Sequence, residues 1–120
     1  MDIEKNNKKI AELCIDLISS YDFIIVPIIS PFSYLRKKVR AMIGLGFYEI
    51  YIQASLTKVI NRDVKGLYKK ALRNEINNFI GIDSAVPFMP PKNPDLVIDT
   101  ETQSEYESIQ KLINFIEKLK

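Results

Sequence analysis

The stretch Phe23-Ile24-Ile25-Val26-Pro27-Ile28-Ile29 runs for seven residues without a polar side chain. β-Branched residues dominate it and nothing alternates, the pattern of a strand covered on both faces in a parallel sheet. Pro27 has no N–H to give a neighbour, so pairing is expected to falter at the middle of the run. A strand of this kind needs helices on both sides, and the remaining segments supply them.

Before the run, Ile3 to Ser19 reads as an amphipathic helix, with Ile10, Leu13, Cys14, Leu17 and Ile18 at helical spacing and Lys8, Lys9, Glu12 and Asp16 between them. Cys14 is then a core residue; a reactive thiol would need an activating neighbour, and its surroundings are apolar. After the run, Ser30-Pro31 stops the strand, and Pro31 is suited to open a second helix reaching Ile43, closed by Gly44 and Gly46. Phe47 to Ala54 reads as a second strand, with Ser55 as cap of a short helix Leu56 to Asn61. A strongly basic helix follows Gly66 and runs to about Asn74. Gly81 to Pro94 is a loop punctuated by four prolines, Leu96-Val97-Ile98 a short third strand. A last helix starts near Glu105, with Ile109, Leu112, Ile113, Ile116 and Leu119 on one face and Thr102 with Glu105 as a capping box. Helices alternating with strands favour an α/β fold, a parallel sheet flanked by helices, and 120 residues fit a single domain, 1–120.

The absence of histidine excludes His-dependent triads, Cys–His pairs and imidazole zinc sites, and the lone Cys14 excludes an internal disulfide. No metal-ligating set is visible. The longest apolar run is too short to span a bilayer, and the acidic, Asn-rich start Met1 to Asn7 is unlike a signal peptide; both point to a cytoplasmic protein without a membrane partner. Net charge is +2, but residues 36–73 hold ten basic groups against Glu49 and Asp63, while the segments on either side are net acidic. A middle third this basic suits an anionic partner such as phosphate or sulfate, or is a solvated basic face. Nucleic acid is not expected, because no recognisable binding module accompanies the charge.

In open parallel sheets ligands bind beyond the carboxyl ends of the strands. Ser30 follows the first run directly, so its hydroxyl and N–H either cap the helix opened by Pro31 or hold an anion there. In Arg62-Asp63-Val64-Lys65-Gly66-Leu67-Tyr68-Lys69-Lys70-Ala71, charged groups flank one glycine and an exposed-looking aromatic, a composition suited to a hinged lid over phosphates or to a basic surface helix.

That ten-residue string, with Asn77-Asn78-Phe79-Ile80-Gly81-Ile82-Asp83-Ser84 downstream and Ile29-Ser30-Pro31-Phe32 upstream, resembles the adenylylsulfate kinase family. Order and spacing agree over essentially the whole chain. Asn6-Asn7-Lys8-Lys9-Ile10-Ala11-Glu12 also resembles the family's Glu-Asn-Ile-Arg-Arg helix, its asparagine retained and its two arginines replaced by lysines. In the family's Asp-Arg-x-x-Asn pattern Asp2 and Asn6 fit, and Ile3 stands in the place of the arginine.

The resemblance implies a P-loop kinase-like fold and transfer of the ATP γ-phosphoryl group, with Mg²⁺, to the 3′-hydroxyl of adenylylsulfate. It implies that Asn6, Ile29, Ser30, Lys65, Asn78 and Phe79 contact the sulfonucleotide, with Arg62, Asp63, Lys65 and Gly66 in a lid. Those residue types suit such contacts, offering an aromatic face for adenine, amides for its edges and a cation for the anion. The family's first strand, its glycine-rich phosphate loop and its Asp-Gly-Asp-Asn segment have no counterpart in these 120 residues, and no Gly-Lys-Ser or Gly-Lys-Thr occurs. The catalytic residues are therefore unassigned. Two expectations follow from the resemblance: a kinase portion completed by a phosphate loop on another segment or partner polypeptide, or a non-catalytic relative that binds an adenine nucleotide or a protein. A homodimer would also cover the edge that a missing first strand leaves.

Overall fold

The computed structural model describes residues 2–83 and 86–120, so Met1, Ala85 and the motif residue Ser84 lie outside the described residues. The chain divides into two compact units, one reaching to Phe47 and including Phe88–Pro90, the other formed by Tyr48–Pro87 and Pro91–Lys120.

In the first unit, helix α1 (Asp2–Leu17) runs into a 3-10 turn at Ile18–Ser20 and packs against helix α2 (Ser33–Ile43). Ala11, Phe32, Leu35 and Pro31 are the buried apolar groups, and Asn7 is buried with them. Glu4 and Lys38 pair across the two helices at 3.1 Å. The helical periodicity of α1 holds, but its expected apolar face does not find the core: Leu13 is 54% and Ile18 51% exposed. The packed face instead follows Asn7 and Ala11, one turn apart, with Cys14 half-buried. Spacing says which side chains share a face, and only a neighbour decides which face is covered.

Phe23 to Ile29 forms no strand, which corrects the expectation from its composition. The segment has no ladder partner among the described residues, and Ile25 and Ile29 are 68% and 62% exposed. A strand exists only where a second backbone accepts and donates hydrogen bonds, and Pro27 withholds one donor in any case. Nor does Pro31 open α2. Phe32 is the N-cap, without a side-chain hydrogen bond, and its carbonyl accepts from Leu35 and Arg36 at 3.2 Å.

In the second unit, β1 (Ile50–Gln53) and β2 (Leu96–Asp99) pair in parallel, with Ile50 opposite Leu96 and Gln53 opposite Asp99. Parallel strands demand a long crossover, and the residues between carry α3 (Leu56–Arg62) and α4 (Leu67–Leu72). Ser55 caps α3 as its position suggests, its Oγ accepting from Lys58 N at 3.2 Å. Helix α4 is shorter than its basic composition suggests, and Asn74, just beyond it, has φ 60°. Gly66 precedes α4 with φ 68°, a left-handed turn that glycine adopts without steric cost. Its missing side-chain cap is replaced from upstream: the Asp63 carboxylate accepts from Tyr68 N and Lys69 N, both at 3.0 Å.

Helix α5 (Glu105–Lys118) packs on β2. Ile109 and Ile113 remain 48% and 43% exposed, and Phe115, absent from the expected face, meets Tyr48 edge-on at 5.7 Å. The capping box is Ser104 with Glu107, not Thr102 with Glu105, because Thr102 belongs to the turn that follows β2. No helix among the described residues is long and apolar enough to cross a membrane.

Hydrogen bonds from Ser104, its backbone N–H first and its side chain second, hold the Glu107 carboxyl below the ordinary glutamate value. A lowered folded-state value means stability that is present above the unfolded carboxylate pKa and lost as pH falls through the folded one. Glu107→Gln is expected to flatten that part of the acid limb in urea titrations run at successive pH values. Ser104→Ala should cost about 1 kcal/mol in the same assay at neutral pH. Asp63→Ala should likewise cost about 1 kcal/mol, with faster amide exchange at Tyr68 and Lys69 as its local signature.

Candidate functional site

In the first unit the candidate residues gather around Ser30. Its Oγ accepts a hydrogen bond from Asn7 Nδ2 at 2.8 Å, and its carbonyl accepts from Arg36 Nη1 at 2.6 Å. Arg36 reaches further, donating through Nη2 to Met89 O at 2.5 Å and lying 5.9 Å from the Phe88 ring centre. Met89 N returns a bond to Pro31 O at 2.7 Å. Ser30 is thus clamped at both its polar ends, and its hydroxyl does not cap α2. Asn6 and Ile29 are exposed on this unit.

In the second unit the carboxyl edge of the parallel pair is held by its own side chains. Thr100 donates through N and through Oγ1 to Gln53 O, each at 2.9 Å. Arg62 grips the same residue, with Nη1 on Thr100 Oγ1 at 3.1 Å and Nη2 on Thr100 O at 2.9 Å. Ser55 Oγ donates to Glu101 Oε1 at 2.6 Å. Arg62, expected in a lid, is bound to the strand end here; Asp63 is turned onto α4, and Lys65 projects into solvent.

Beyond α4 the chain closes a small loop on itself. Gly81 N bonds Val86 O at 2.8 Å, Asp83 N bonds Phe79 O at 2.9 Å, and the Asp83 carboxylate accepts from Asn78 N at 3.1 Å. Asn78 takes φ 56°, a left-handed backbone that asparagine tolerates better than most residues. The loop borders a partly open hollow of about 280 Å³ lined by Ala71, Asn74, Ile76, Asn77, Phe79, Ile82 and Asp83. Tyr68 is half-buried rather than exposed, its ring perpendicular to Phe79 at 4.8 Å, which sets the Phe79 plane.

Of the sequence-derived candidates, Asn78 and Phe79 share this loop, and Phe79 alone of the six lines the hollow. Lys65 lies outside that lining, and Asn6, Ile29 and Ser30 belong to the other unit. Sequence reasoning missed Asn7, Arg36, Tyr68 as the partner of Phe79, and Asp83 as the clasp of its loop. Asn7 had a signal: it shares the helical face of Ala11 and Cys14. Among the described residues no three of His, Cys, Asp and Glu gather as a metal site.

The adenylylsulphate kinase family model matches residues 1–99. A probable adenylyl-sulfate kinase of Aeropyrum pernix is 41% identical over 112 residues, 91% of this chain and 60% of its own length. The adenylyl-sulfate kinase of Oceanobacillus iheyensis is 42% identical over 116 residues, 96% of this chain and 57% of its own. The chain therefore spans about three fifths of the curated relatives it matches. A solved structure of the Mycobacterium tuberculosis APS kinase CysC in complex with AMPPNP and APS gives a TM-score of 0.81 at 34% identity, covering 95% of this chain and 66% of that one. The crystal structure of APE1195 gives 0.83 at 38% identity, with coverages of 96% and 65%. The parallel sheet and its helices are accordingly P-loop kinase-like, and the chain belongs to the adenylylsulfate kinase family.

Proposed function

We propose that this chain carries the sulfonucleotide-binding part of an adenylylsulfate kinase, which transfers the ATP γ-phosphoryl group to the 3′-hydroxyl of adenylylsulfate in cytoplasmic sulfate assimilation. The observation that carries the reading is the hollow beside Phe79, its ring plane fixed by Tyr68 and its loop clasped by Asp83. Phe79 stacks the adenine, and Asn78 and Asn6 offer amides to polar edges. Lys65, exposed on the turn before α4, offers its charge to the anionic substrate. Ile29 gives an apolar wall and Ser30 a hydroxyl.

The residues present do not fit the Mg²⁺ that accompanies ATP in such kinases. No Gly-Lys-Ser or Gly-Lys-Thr occurs in the sequence, and no acidic cluster replaces it among the described residues. In phosphoryl transfer that loop and its ion supply most of the positioning and charge neutralisation, so no transfer step is assigned to these side chains. A phosphate loop on another segment or a partner polypeptide would supply that chemistry; a second copy of the chain, with the same sequence, would cover a sheet edge without supplying it. The same missing motif favours one second reading, a non-catalytic relative that binds the adenine nucleotide only.

Two outcomes are expected. The isolated chain makes no 3′-phosphoadenylylsulfate from ATP and adenylylsulfate beyond a heat-killed control, and product above that control refutes the expected inactivity while leaving the kinase reading in place. Adenylylsulfate raises the melting temperature of the unaltered chain, and Phe79→Ala and Lys65→Ala each weaken its binding about tenfold, the scale of one lost base stack or charge contact. Equal stabilisation of all three proteins removes those residues from the site.

A further inference from the structure

Asn7 sits in the middle of α1 with only 4% of its surface exposed. Its Nδ2 donates to Ser30 Oγ at 2.8 Å, while its Oδ1 is buried without a hydrogen-bond partner. An unpaired buried carbonyl costs stability, and an aliphatic side chain between α1 and α2 would avoid that cost. The amide is thus a burden on the fold except for its effect on Ser30.

That effect is directional. A serine hydroxyl has one hydrogen and two acceptor lone pairs. With Asn7 Nδ2–H on the oxygen, the hydroxyl hydrogen points away from α1, and the grip of Arg36 on the Ser30 carbonyl at 2.6 Å keeps the residue from turning. We propose that Asn7 is a positioning residue that makes Ser30 Oγ a hydrogen-bond donor aimed at an acceptor oxygen of the substrate's sulfate or phosphate. This rests on the reading of Ser30 as a sulfonucleotide contact. Asn7 itself touches no ligand; it acts through Ser30.

Isothermal titration of the full 120-residue chain with adenylylsulfate, and with adenosine as the ligand lacking the anion, tests it. Ser30→Ala and Asn7→Leu are each expected to weaken adenylylsulfate binding about tenfold, the scale of one hydrogen bond to a charged group, and to leave adenosine binding unchanged. In the Ser30→Ala background Asn7→Leu should have no further effect, because its route to the ligand is gone. A merely structural Asn7 would weaken binding equally in both backgrounds, and that result overturns the proposal. So does Asn7→Leu binding like the unaltered chain while Ser30→Ala is weak, which leaves the Ser30 reading intact. Unaltered chain that does not bind adenylylsulfate, or Ser30→Ala that binds it normally, removes the underlying reading and the proposal together. Should Asn7→Leu not fold, the unaltered protein decides: the Asn7 side-chain amide resonances should shift with adenylylsulfate and stay put with adenosine, and no shift at saturation refutes the role.

Discussion

Parallel pairing of Ile50–Gln53 with Leu96–Asp99 is the constraint on which the second unit depends. Two strands that run the same way cannot be joined by a hairpin, so every residue from Ala54 to Asp95 must travel from the carboxyl end of β1 back to the amino end of β2. The crossover is where α3, α4 and the Phe79 loop arise. Its departure is fixed by Thr100, which bonds Gln53 O twice and receives both Arg62 contacts, so α3 leaves the sheet tied at its far end as well. The Asp63 cap then starts α4 directly, and Tyr68 on that helix sets the ring of Phe79.

The basic middle third divides by residue type in a way that net charge does not reveal. Three of its arginines are used in packing: Arg36 on two carbonyls, Arg40 with its guanidinium 4.9 Å from the Phe47 ring centre, Arg62 on Thr100. A planar fork that is weakly hydrated and always charged suits such carbonyl-clamping or ring-stacking positions, even where, as at Arg40 and Arg62, the residue stays exposed. Lysines 58, 65, 69 and 70 stay exposed, as a strongly hydrated ammonium on a flexible stem does by preference. Any anion drawn to this region meets chiefly lysines, which act as point charges and not as bidentate clamps.

Local signals in the sequence reached far into this structure, and their failures share one cause. β1 and β2 lie inside the runs Phe47–Ala54 and Leu96–Ile98 or within one residue of them, and Ser55 caps α3 as its position suggests. Each depends on side chains within a few residues. Phe23–Ile29 has the composition of a buried strand yet stays unpaired, since composition prepares a strand and only another backbone completes it. Thr102/Glu105 and Ser104/Glu107 have the same spacing, and what separates them is the hold of the β2 turn on Thr102, a tertiary fact. Asn7 reads as one more polar residue in a charged helix, hinted at only by its sharing a face with Ala11 and Cys14; its burial is established when α2 and Ser30 come against it.

The ten-residue string Arg62 to Ala71 shows how far likeness of sequence can be carried toward a site. Most of its distinctive residues serve the fold: Arg62 ties the strand end, Asp63 caps α4, Gly66 takes the left-handed turn, Tyr68 braces Phe79, and Ala71 is buried. A relative that shared only the architecture would need those residues. Val64 is 94% exposed, and Lys65 beside it makes no hydrogen bond or ion pair among the described residues. The fold gains nothing visible from the lysine, and an exposed ammonium on the tip of a turn loses side-chain entropy when anything immobilises it. Within this string, then, Lys65, together with the exposed Val64, Lys69 and Lys70, belongs to the part whose likeness to the family the architecture does not explain, and of these Lys65 sits on the turn itself, where an ammonium can reach an anion without disturbing α4.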